Sequence, residues 1–167
     1  MRDRVVDGPW ECRRLDEIAS AFTESRFART YVPDPRYGAP YITASDMLLA
    51  DLKGLHHLSR KNTPQLSRLI VHEGWSLVSC SGTIGRTAYV RGEMQGLAAS
   101  HDVIRIIADE ASVAPGYLFA YLTSSPAQAL IQQRTYGSVV QHIEPHHIAD
   151  LPVPLPDPAE QQRIHDL

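Results

Sequence analysis

Hydrophobic and polar positions alternate through the middle of the chain in the way that β-strands require. Apolar segments separated by short polar turns predict strands at "SRLIV", "WSLVSCS", "TAYV" and "HDVIRIIA" (67–71, 75–81, 87–90 and 101–108). Within the last of these, both faces are apolar except at Arg105. The centre of the chain is therefore predicted to form a sheet.

After this sheet the hydrophobic period changes to that of a helix. In "APGYLFAYLTSS" (114–125), apolar residues recur at i, i+3 and i+4, which predicts a helix beginning near Pro115. A second helix is predicted at "SPAQALIQQRT" (125–135), with Ser125 as its N-cap and Pro126 at the first helical position. The two helices are expected to meet at an angle.

The end of the chain is organised by proline. Pro145 is suited to the first turn of a short helix, whereas "LPVPLP" (151–156) must be extended because proline restricts both itself and the residue before it. Asp157 is placed to cap a final helix at 158–164, with Pro158 in its first turn. This pattern predicts a helix, an extended segment and the start of another helix.

The remaining segments are less regular. Residues 10–22 predict a strand or a short helix, and 31–40 and 53–65 predict loops, the latter basic and exposed. The stretch "SCSGTIGR" (79–86) is predicted to be a turn between two strands, with glycines supplying positive φ and hydroxyls satisfying the turn amides.

Composition narrows the class of protein. The 167 residues are 43% hydrophobic and 21% charged, which is ordinary for a globular domain, and no apolar run predicts a membrane span. The N-terminal sequence does not resemble a signal peptide, so a cytoplasmic protein with free thiols at Cys12 and Cys80 is expected.

The charge is unevenly placed along the chain. The net charge is −3, but residues 1–91 hold 13 Lys/Arg against 10 Asp/Glu, whereas residues 92–167 hold 3 against 9. Because phosphate affinity follows the local field, a basic face on an acidic protein permits nucleic-acid binding without establishing it.

The residue types suggest three candidate chemical sites. Cys80, His101 and Asp102 supply the groups of a thiol nucleophile, but a cysteine on an alternating strand more often packs as a small hydrophobe. The glycine spacing of 79–86 is not that of a P-loop. The pairs His56-His57 and His146-His147 predict no metal site, since neighbouring side chains are expected to point apart.

The order of motifs resembles that of the target-recognition domain in type I restriction–modification DNA specificity subunits. The pieces that carry the resemblance are "LDEIASAF", "PYITASDM", "GWSLVSCSGTIGRTAYV", "ASHDVIRIIAD", "PGYLFAYLTS", "YGSVVQHIEPHHIADLPVPLP" and "EQQRI". No piece is specific alone, but seven in the family's order cover most of the chain. The most distinctive part is "GSVVQHI" followed by "LPVPLP" and "EQQRI".

The resemblance implies a mixed α/β (α+β) fold, with a twisted, mostly antiparallel sheet and flanking helices. Residues 1–156 would form the DNA recognition domain, and 157–167 would begin the long conserved helix that spaces two such domains and docks methyltransferase subunits. It also implies a non-catalytic protein with no cofactor and no metal. The chain is similar to a half-subunit, a truncated form or the recognition part of a fused enzyme, and a half-subunit is expected to form a homodimer.

The family recognises double-stranded DNA through variable loops, so loop cations and amides are the candidate contacts. These are Arg26, Arg29, Arg36, Lys53, Arg60, Lys61, Asn62, Arg86, Ser138, Gln141 and His142. The expected docking residues for methyltransferase subunits and, in the full system, restriction subunits are Gln161, Ile164 and Leu167. Arginine can read guanine, and Asn or Gln adenine, whereas lysine more often holds the backbone.

Two other functions fit the same residues. A protein-interaction adaptor on this fold would use the C-terminal helix as its docking surface and would not bind DNA. A small thiol hydrolase would use Cys80, which a thiol reagent would then label rapidly.

Overall fold

The computed structural model describes residues 9–135 and 141–167 of the chain. Its strands within these residues are β1 Glu11–Arg14, β2 Ala19–Phe22, β3 Tyr31–Val32, β4 Gly38–Ile42, β5 His56–Ser59, β6 Ser76–Ser79, β7 Thr87–Tyr89, β8 Ala98–Ala99, β9 Val103–Ala108 and β10 Pro152–Leu155. Its helices there are α1 Leu15–Ile18, α2 Leu66–Leu69, α3 Pro115–Thr123, α4 Ser125–Gln133, α5 Pro145–Ile148 and α6 Pro158–His165. Short 3₁₀ turns lie at Pro35–Tyr37, Asp46–Leu48 and Gly92–Met94.

The strands pair into three sheets. The first is the antiparallel pair β1–β10, and the second has the order β2-β9-β6-β7 and is antiparallel throughout. The third has the order β3-β5-β4-β8, with β4 and β8 parallel. The predicted mixed α/β class with mostly antiparallel strands is confirmed, although the strands are divided among three sheets.

The largest core lies where α3 and α4 pack on the second sheet. It includes Leu118, Leu122 and Ile131 from these helices, with Ile104 and Ile106 from β9. The tyrosines of α3 tie the helix to β10: the Tyr117 and Tyr121 hydroxyls donate to the carbonyls of Pro154 and Pro152 at 2.5 and 2.7 Å. The proline-rich strand thus supplies acceptors to α3 on one side while pairing with β1 on the other.

Arg105, the polar exception in the apolar strand, is completely buried. Its guanidinium donates to the carbonyls of Val103 at 3.1 Å, Ala99 at 2.8 Å and Leu69 at 3.4 Å. Since Ala99 lies in β8 and Val103 in β9, this side chain joins the second and third sheets.

Several local predictions are confirmed. Residues 10–22 form strand, helix and strand in succession, and 151–156 is extended as β10. The Asp157 carboxylate caps α6 by accepting from the Glu160 amide at 3.0 Å. The 79–86 segment is a turn between β6 and β7, in which Gly82 and Gly85 adopt φ of +70° and +84°.

Four local predictions are wrong. The predicted loop at 31–40 contains β3 and the first residues of β4, both of which pair with β5. The predicted strand at 67–71 is largely the helical turn α2, and the predicted loop at 53–65 contains β5, which pairs with both β3 and β4. The N-cap of α4 is Ser124 rather than Ser125, because the Ser124 hydroxyl accepts from the Ala127 amide. Within the part of the chain that the structure describes, no helix has the length and apolar character needed to cross a membrane.

Candidate nucleic-acid interface

A polar cleft of about 690 Å³ lies where the segment after β2 meets the start of β9, and we call it the recognition cleft. It is lined by Thr23, Glu24, Arg26, Phe27, Arg29, Ser81, His101, Asp102, His142 and Glu144. The Thr23 hydroxyl donates to the His101 carbonyl at 2.8 Å, and Ser81 pairs with His142 across an isolated bridge. Four separate chain segments are thus held together around the cleft.

Arg29 and Asp102 form an ion pair in this cleft. Arg29 Nη2 lies 3.2 Å from Asp102 Oδ2 and 3.4 Å from the Ser100 hydroxyl. Ser100 is buried; its hydroxyl donates to Asp102 Oδ2 at 3.2 Å and accepts from the Asp102 amide at 3.1 Å. The side chains of Arg29 and Asp102 remain about one third exposed.

Aromatic rings extend this pair onto the third sheet. The Arg29 guanidinium carbon lies 5.6 Å from the centroid of the buried Tyr41 ring, within cation–π range. The exposed Tyr31 ring lies 5.1 Å from His56 and 6.1 Å from Tyr41. The cleft therefore continues as a surface on which an arginine and aromatic side chains are neighbours.

His101 completes the cleft floor. Its Nε2 is 3.6 Å from Asp102 Oδ2, and its ring packs edge-on against Phe27. Burial, which outweighs the attraction of Asp102, lowers the pKa of His101, so the neutral imidazole is favoured near pH 7. Its Nδ1 is buried without a hydrogen-bond partner among residues 9–135 and 141–167.

The structure brings three of the predicted DNA contacts together in the cleft, namely Arg26, Arg29 and His142. A second group lies at one end of the third sheet, where the Arg60 amide donates to the Tyr37 carbonyl at 3.0 Å and the Asn62 amide to the Ser59 hydroxyl at 3.2 Å. This group comprises Arg36, Arg60, Lys61 and Asn62, all exposed.

The other predicted contacts are scattered. Lys53 is 91% exposed and pairs with Asp51 at 3.5 Å, and Arg86 is exposed on the β6–β7 turn. Gln141 is exposed next to the cleft residue His142, and Ser138 lies outside the described residues. Within the second group, Arg36 pairs with Asp34 at 2.7 Å, an exposed ion pair that contributes little to stability.

Sequence reasoning missed the acidic part of the cleft. Asp102 and Glu144 line it beside the cations, although Asp102 had been considered for thiol chemistry alone. The sequence feature that could have identified Asp102 is the "SHD" triplet (100–102), three polar residues directly before an apolar strand. Attraction to phosphate identifies loop cations as candidate contacts, but it does not identify carboxylates.

Cys80 is not arranged as a nucleophile. Its thiol is 1% exposed and faces the His101 carbonyl at 3.7 Å, not the imidazole. Burial, aided by Asp102, raises the pKa of Cys80 to about 12, so the reactive thiolate is disfavoured. Cys12 and Cys80 are both free thiols, as predicted.

The pair His146-His147 lies in the short helix α5. The rings of His146 and His147 lie 3.9 Å apart, so the expectation that they point apart is wrong for this pair. His147 Nδ1 accepts from the Glu144 amide at 3.0 Å, and His146 Nδ1 is 3.4 Å from Glu144 Oε2. Across the described ranges, no group of three or more His, Cys, Asp or Glu residues is placed to hold a metal ion.

A second concave surface of about 610 Å³ lies beside α3 and α6, and we call it the apolar groove. Its lining includes Met47, Leu48, Leu49, Tyr89, Met94, Phe119, Ala120, Ile164 and Leu167. Of the predicted docking residues, Leu167 is fully exposed and Ile164 half-buried in this groove.

Gln161 has another role. It is 5% exposed, its Oε1 accepts from the Ala114 amide at 3.1 Å and its Nε2 donates to the Pro156 carbonyl at 2.9 Å. Its amide is therefore used inside the domain to attach α6, not offered to a partner. Nearby, the Gly116 amide donates to His165 Nδ1 at 2.8 Å, and a Cβ on Gly116 would lie 2.9 Å from His165 Cα.

Comparison with known proteins gives a consistent picture. Residues 8–167 match the family model of the type I restriction modification DNA specificity domain. Among solved structures, the chain is similar to the HsdS subunit from Thermoanaerobacter tengcongensis (TM-score 0.67, 19% identity), covering 99% of this chain and 38% of that one. It is also similar to the type I restriction-modification S subunit from M. genitalium (TM-score 0.62, 15% identity), covering 99% and 39%.

A third structure, from work on complex assembly and conformational transition of the type I R-M system, has a TM-score of 0.72 at 19% identity and the same coverage of 99% and 39%. At these identities the likeness shows the fold. The chain spans about two fifths of the length of these relatives. No curated protein matches the chain significantly.

Proposed function

Because the chain belongs to the family of type I restriction modification DNA specificity domains, we propose that it recognises a specific double-stranded DNA sequence. In this proposal it directs methyltransferase subunits, and in a complete system restriction subunits, to that sequence. The observation that carries the proposal is the family match over residues 8–167, nearly the whole chain. The recognition cleft supports it, since it combines arginines with acceptors beside exposed aromatic rings.

Within this function, we assign binding rather than chemistry to the domain. Arg26, Arg29 and His142 contact DNA from the cleft, and Arg36, Arg60, Lys61 and Asn62 contact it from the end of the third sheet. Lys53, Arg86 and Gln141 add outlying contacts. Arginines facing base edges read guanine, whereas Lys53 and Lys61 hold phosphates and contribute affinity that depends on salt.

We also propose that residues 157–167 begin a docking helix, whereas 1–156 contain the recognition domain. Ile164 and Leu167 would face the partner, and Gln161 would hold the helix on the domain. Since the related chains are more than twice as long, a bipartite target would need two recognition domains, supplied by a longer chain or by two copies in a homodimer.

A methylation map tests the proposal directly. The accompanying methyltransferase would be expressed with and without this chain in a host that lacks DNA methylation, and modified bases would be mapped by sequencing. A methylated motif that requires the chain is the expected result. An active methyltransferase whose pattern does not depend on the chain would contradict a recognition role.

Direct binding supplies a second readout. The purified complex should bind an oligonucleotide carrying the motif more tightly than a scrambled one. Its affinity should fall steeply as salt rises, because cationic side chains release counterions from the phosphates. Equal affinity for the two oligonucleotides would contradict sequence recognition even if the complex bound DNA.

A further inference from the structure

The Arg29–Asp102 pair presents a donor and an acceptor side by side to the recognition cleft. Within the described residues, the polar contacts of the Asp102 carboxylate all go to Oδ2. They are the Arg29 guanidinium at 3.2 Å, the Ser100 hydroxyl at 3.2 Å and His101 Nε2 at 3.6 Å. Those of the Arg29 guanidinium all involve Nη2. Asp102 Oδ1 and the Nε and Nη1 groups of Arg29 are thus left to meet a ligand.

A carboxylate in a DNA-binding cleft is unfavourable unless it contacts a base and not the phosphate backbone. Asp102 and Glu144 repel phosphates, so they lower affinity for the DNA backbone. A base edge is different, because the exocyclic N4 amino group of cytosine is a donor that a carboxylate accepts. The guanine paired with that cytosine offers O6 and N7 to arginine in the same groove.

The pair is also held in place before any ligand arrives. The Asp102 amide donates a hydrogen bond to the Ser100 hydroxyl. The centroid of the Tyr41 ring lies 5.6 Å from the Arg29 guanidinium carbon, and His101 Nε2 lies 3.6 Å from Asp102 Oδ2. Side chains fixed in this way lose less conformational entropy on binding and discriminate more sharply between bases.

We infer that Asp102 and Arg29 together read one G·C base pair of the target, with Asp102 accepting from cytosine N4 and Arg29 donating to guanine. This inference rests on the proposed function. In it, an acidic residue, Asp102, determines part of the DNA specificity. Ser100 is a positioning residue, because it acts by orienting the carboxylate.

The first test compares methylation motifs of two variants. Asp102→Asn should leave methylation active but relax one G·C position of the motif, since the amide no longer presents two acceptors. The matched control is Asp150→Asn, whose carboxylate forms an exposed pair with Arg134 at 3.1 Å outside the cleft. The control should retain the wild-type motif. An Asp102→Asn variant that methylates the unchanged motif, or relaxes an A·T position alone, would overturn the inference.

The second test uses the wild-type complex and so does not depend on how the variant folds. Each cytosine of the motif is replaced in turn by N4-methylcytosine, which pairs normally but carries a methyl group in place of the major-groove amino hydrogen. One replacement should weaken binding by about 5- to 150-fold. If every such replacement leaves affinity unchanged, no carboxylate reads cytosine N4.

The outcomes separate the two proposals. If wild-type protein specifies no motif, the proposed function fails and the inference falls with it. If wild-type protein specifies a motif but tolerates N4-methylcytosine throughout, the inference alone fails.

Discussion

The recognition cleft and the apolar groove are similar in volume but opposite in chemistry. The cleft is lined by cations, carboxylates and histidines, whereas the groove exposes Leu48 and Leu49, at 50% and 47%, beside Leu167. Base edges and phosphates require polar partners, whereas the centre of a protein interface is apolar. Under the proposed function, these two separate surfaces would divide the binding between them, with DNA at the cleft and a protein subunit at the groove.

The largest expected effect is the loss of stability on replacing Arg105, whose hydrogen bonds support the cleft. Arg105→Met leaves three buried carbonyls without their donor, and the carbonyl of Ala99 lies directly before Ser100. We expect a loss of about 2–4 kcal/mol in the free energy of unfolding, less than the sum of three bonds because the buried guanidinium is itself costly to desolvate. Denaturant unfolding measures it.

The matched control for Arg105 is Arg163→Met. Arg163 is 73% exposed and pairs with Glu160 within α6, so its replacement should leave the free energy of unfolding nearly unchanged. Equal effects of the two substitutions would show that burial of Arg105 does not stabilise the junction between the sheets.

A smaller effect is expected at the turn that carries the cleft residue Ser81. Gly85→Ala places a Cβ 2.6 Å from Gln128 Oε1 at a φ of +84°, whereas Gly82→Ala has a φ of +70° but open space. Gly85→Ala should therefore destabilise the protein more, by about 1–3 kcal/mol, as thermal or denaturant unfolding would show. Equal stability of the two variants would mean that Gln128 moves aside freely.

The groove is tested by Leu49→Ser. This exposed side chain is not needed by the core, so the folded domain should keep its stability and its DNA affinity. If the groove docks a protein subunit, assembly with the methyltransferase should weaken by about tenfold or more, since burying a leucine contributes roughly 1.5–3 kcal/mol. Size-exclusion or calorimetric titration measures it, and undiminished assembly would assign docking elsewhere.

The cleft is tested by the reciprocal change, Arg26→Ala. Here methyltransferase assembly should be unchanged, while DNA affinity falls and the slope of log K against log salt decreases by about 1. A substitution in either surface that damaged both activities equally, without unfolding the domain, would break the separation between cleft and groove.

The smallest effect concerns the buried thiol of Cys80, the residue directly before the cleft residue Ser81. At pH 7 a thiol reagent should label exposed Cys12 quickly and Cys80 only on unfolding. Because burial raises the pKa of Cys80 to about 12, its contribution to stability is complete below the ordinary thiol pKa of about 9 and is lost as pH rises towards 12. Rapid labelling of Cys80 in the folded protein would show that the cleft opens to this residue.

Sequence reasoning succeeded where a local rule was sufficient. Helix α3 follows from its apolar spacing and Pro115, α6 from the Asp157 cap, and the 79–86 turn from its glycines. It failed for β5, because "HHLS" lacks an apolar pattern and is a strand only through its pairing with β3 and β4. The residue types predicted which cations could contact DNA. Which of them share the cleft depends on contacts between loops that are far apart in the sequence.

The sequence by itself determined the family, the class of fold and where α3, α5 and α6 begin, since these depend on the order of motifs and on capping and proline rules that act within a few residues. Tertiary structure alone decided which polar residues share a cleft. Arg29 and Asp102 are 73 positions apart, and Arg105 is inside the protein because neighbouring strands supply carbonyl acceptors. Hydrogen-bond partners for a buried charge are a property of packing, which no local pattern records.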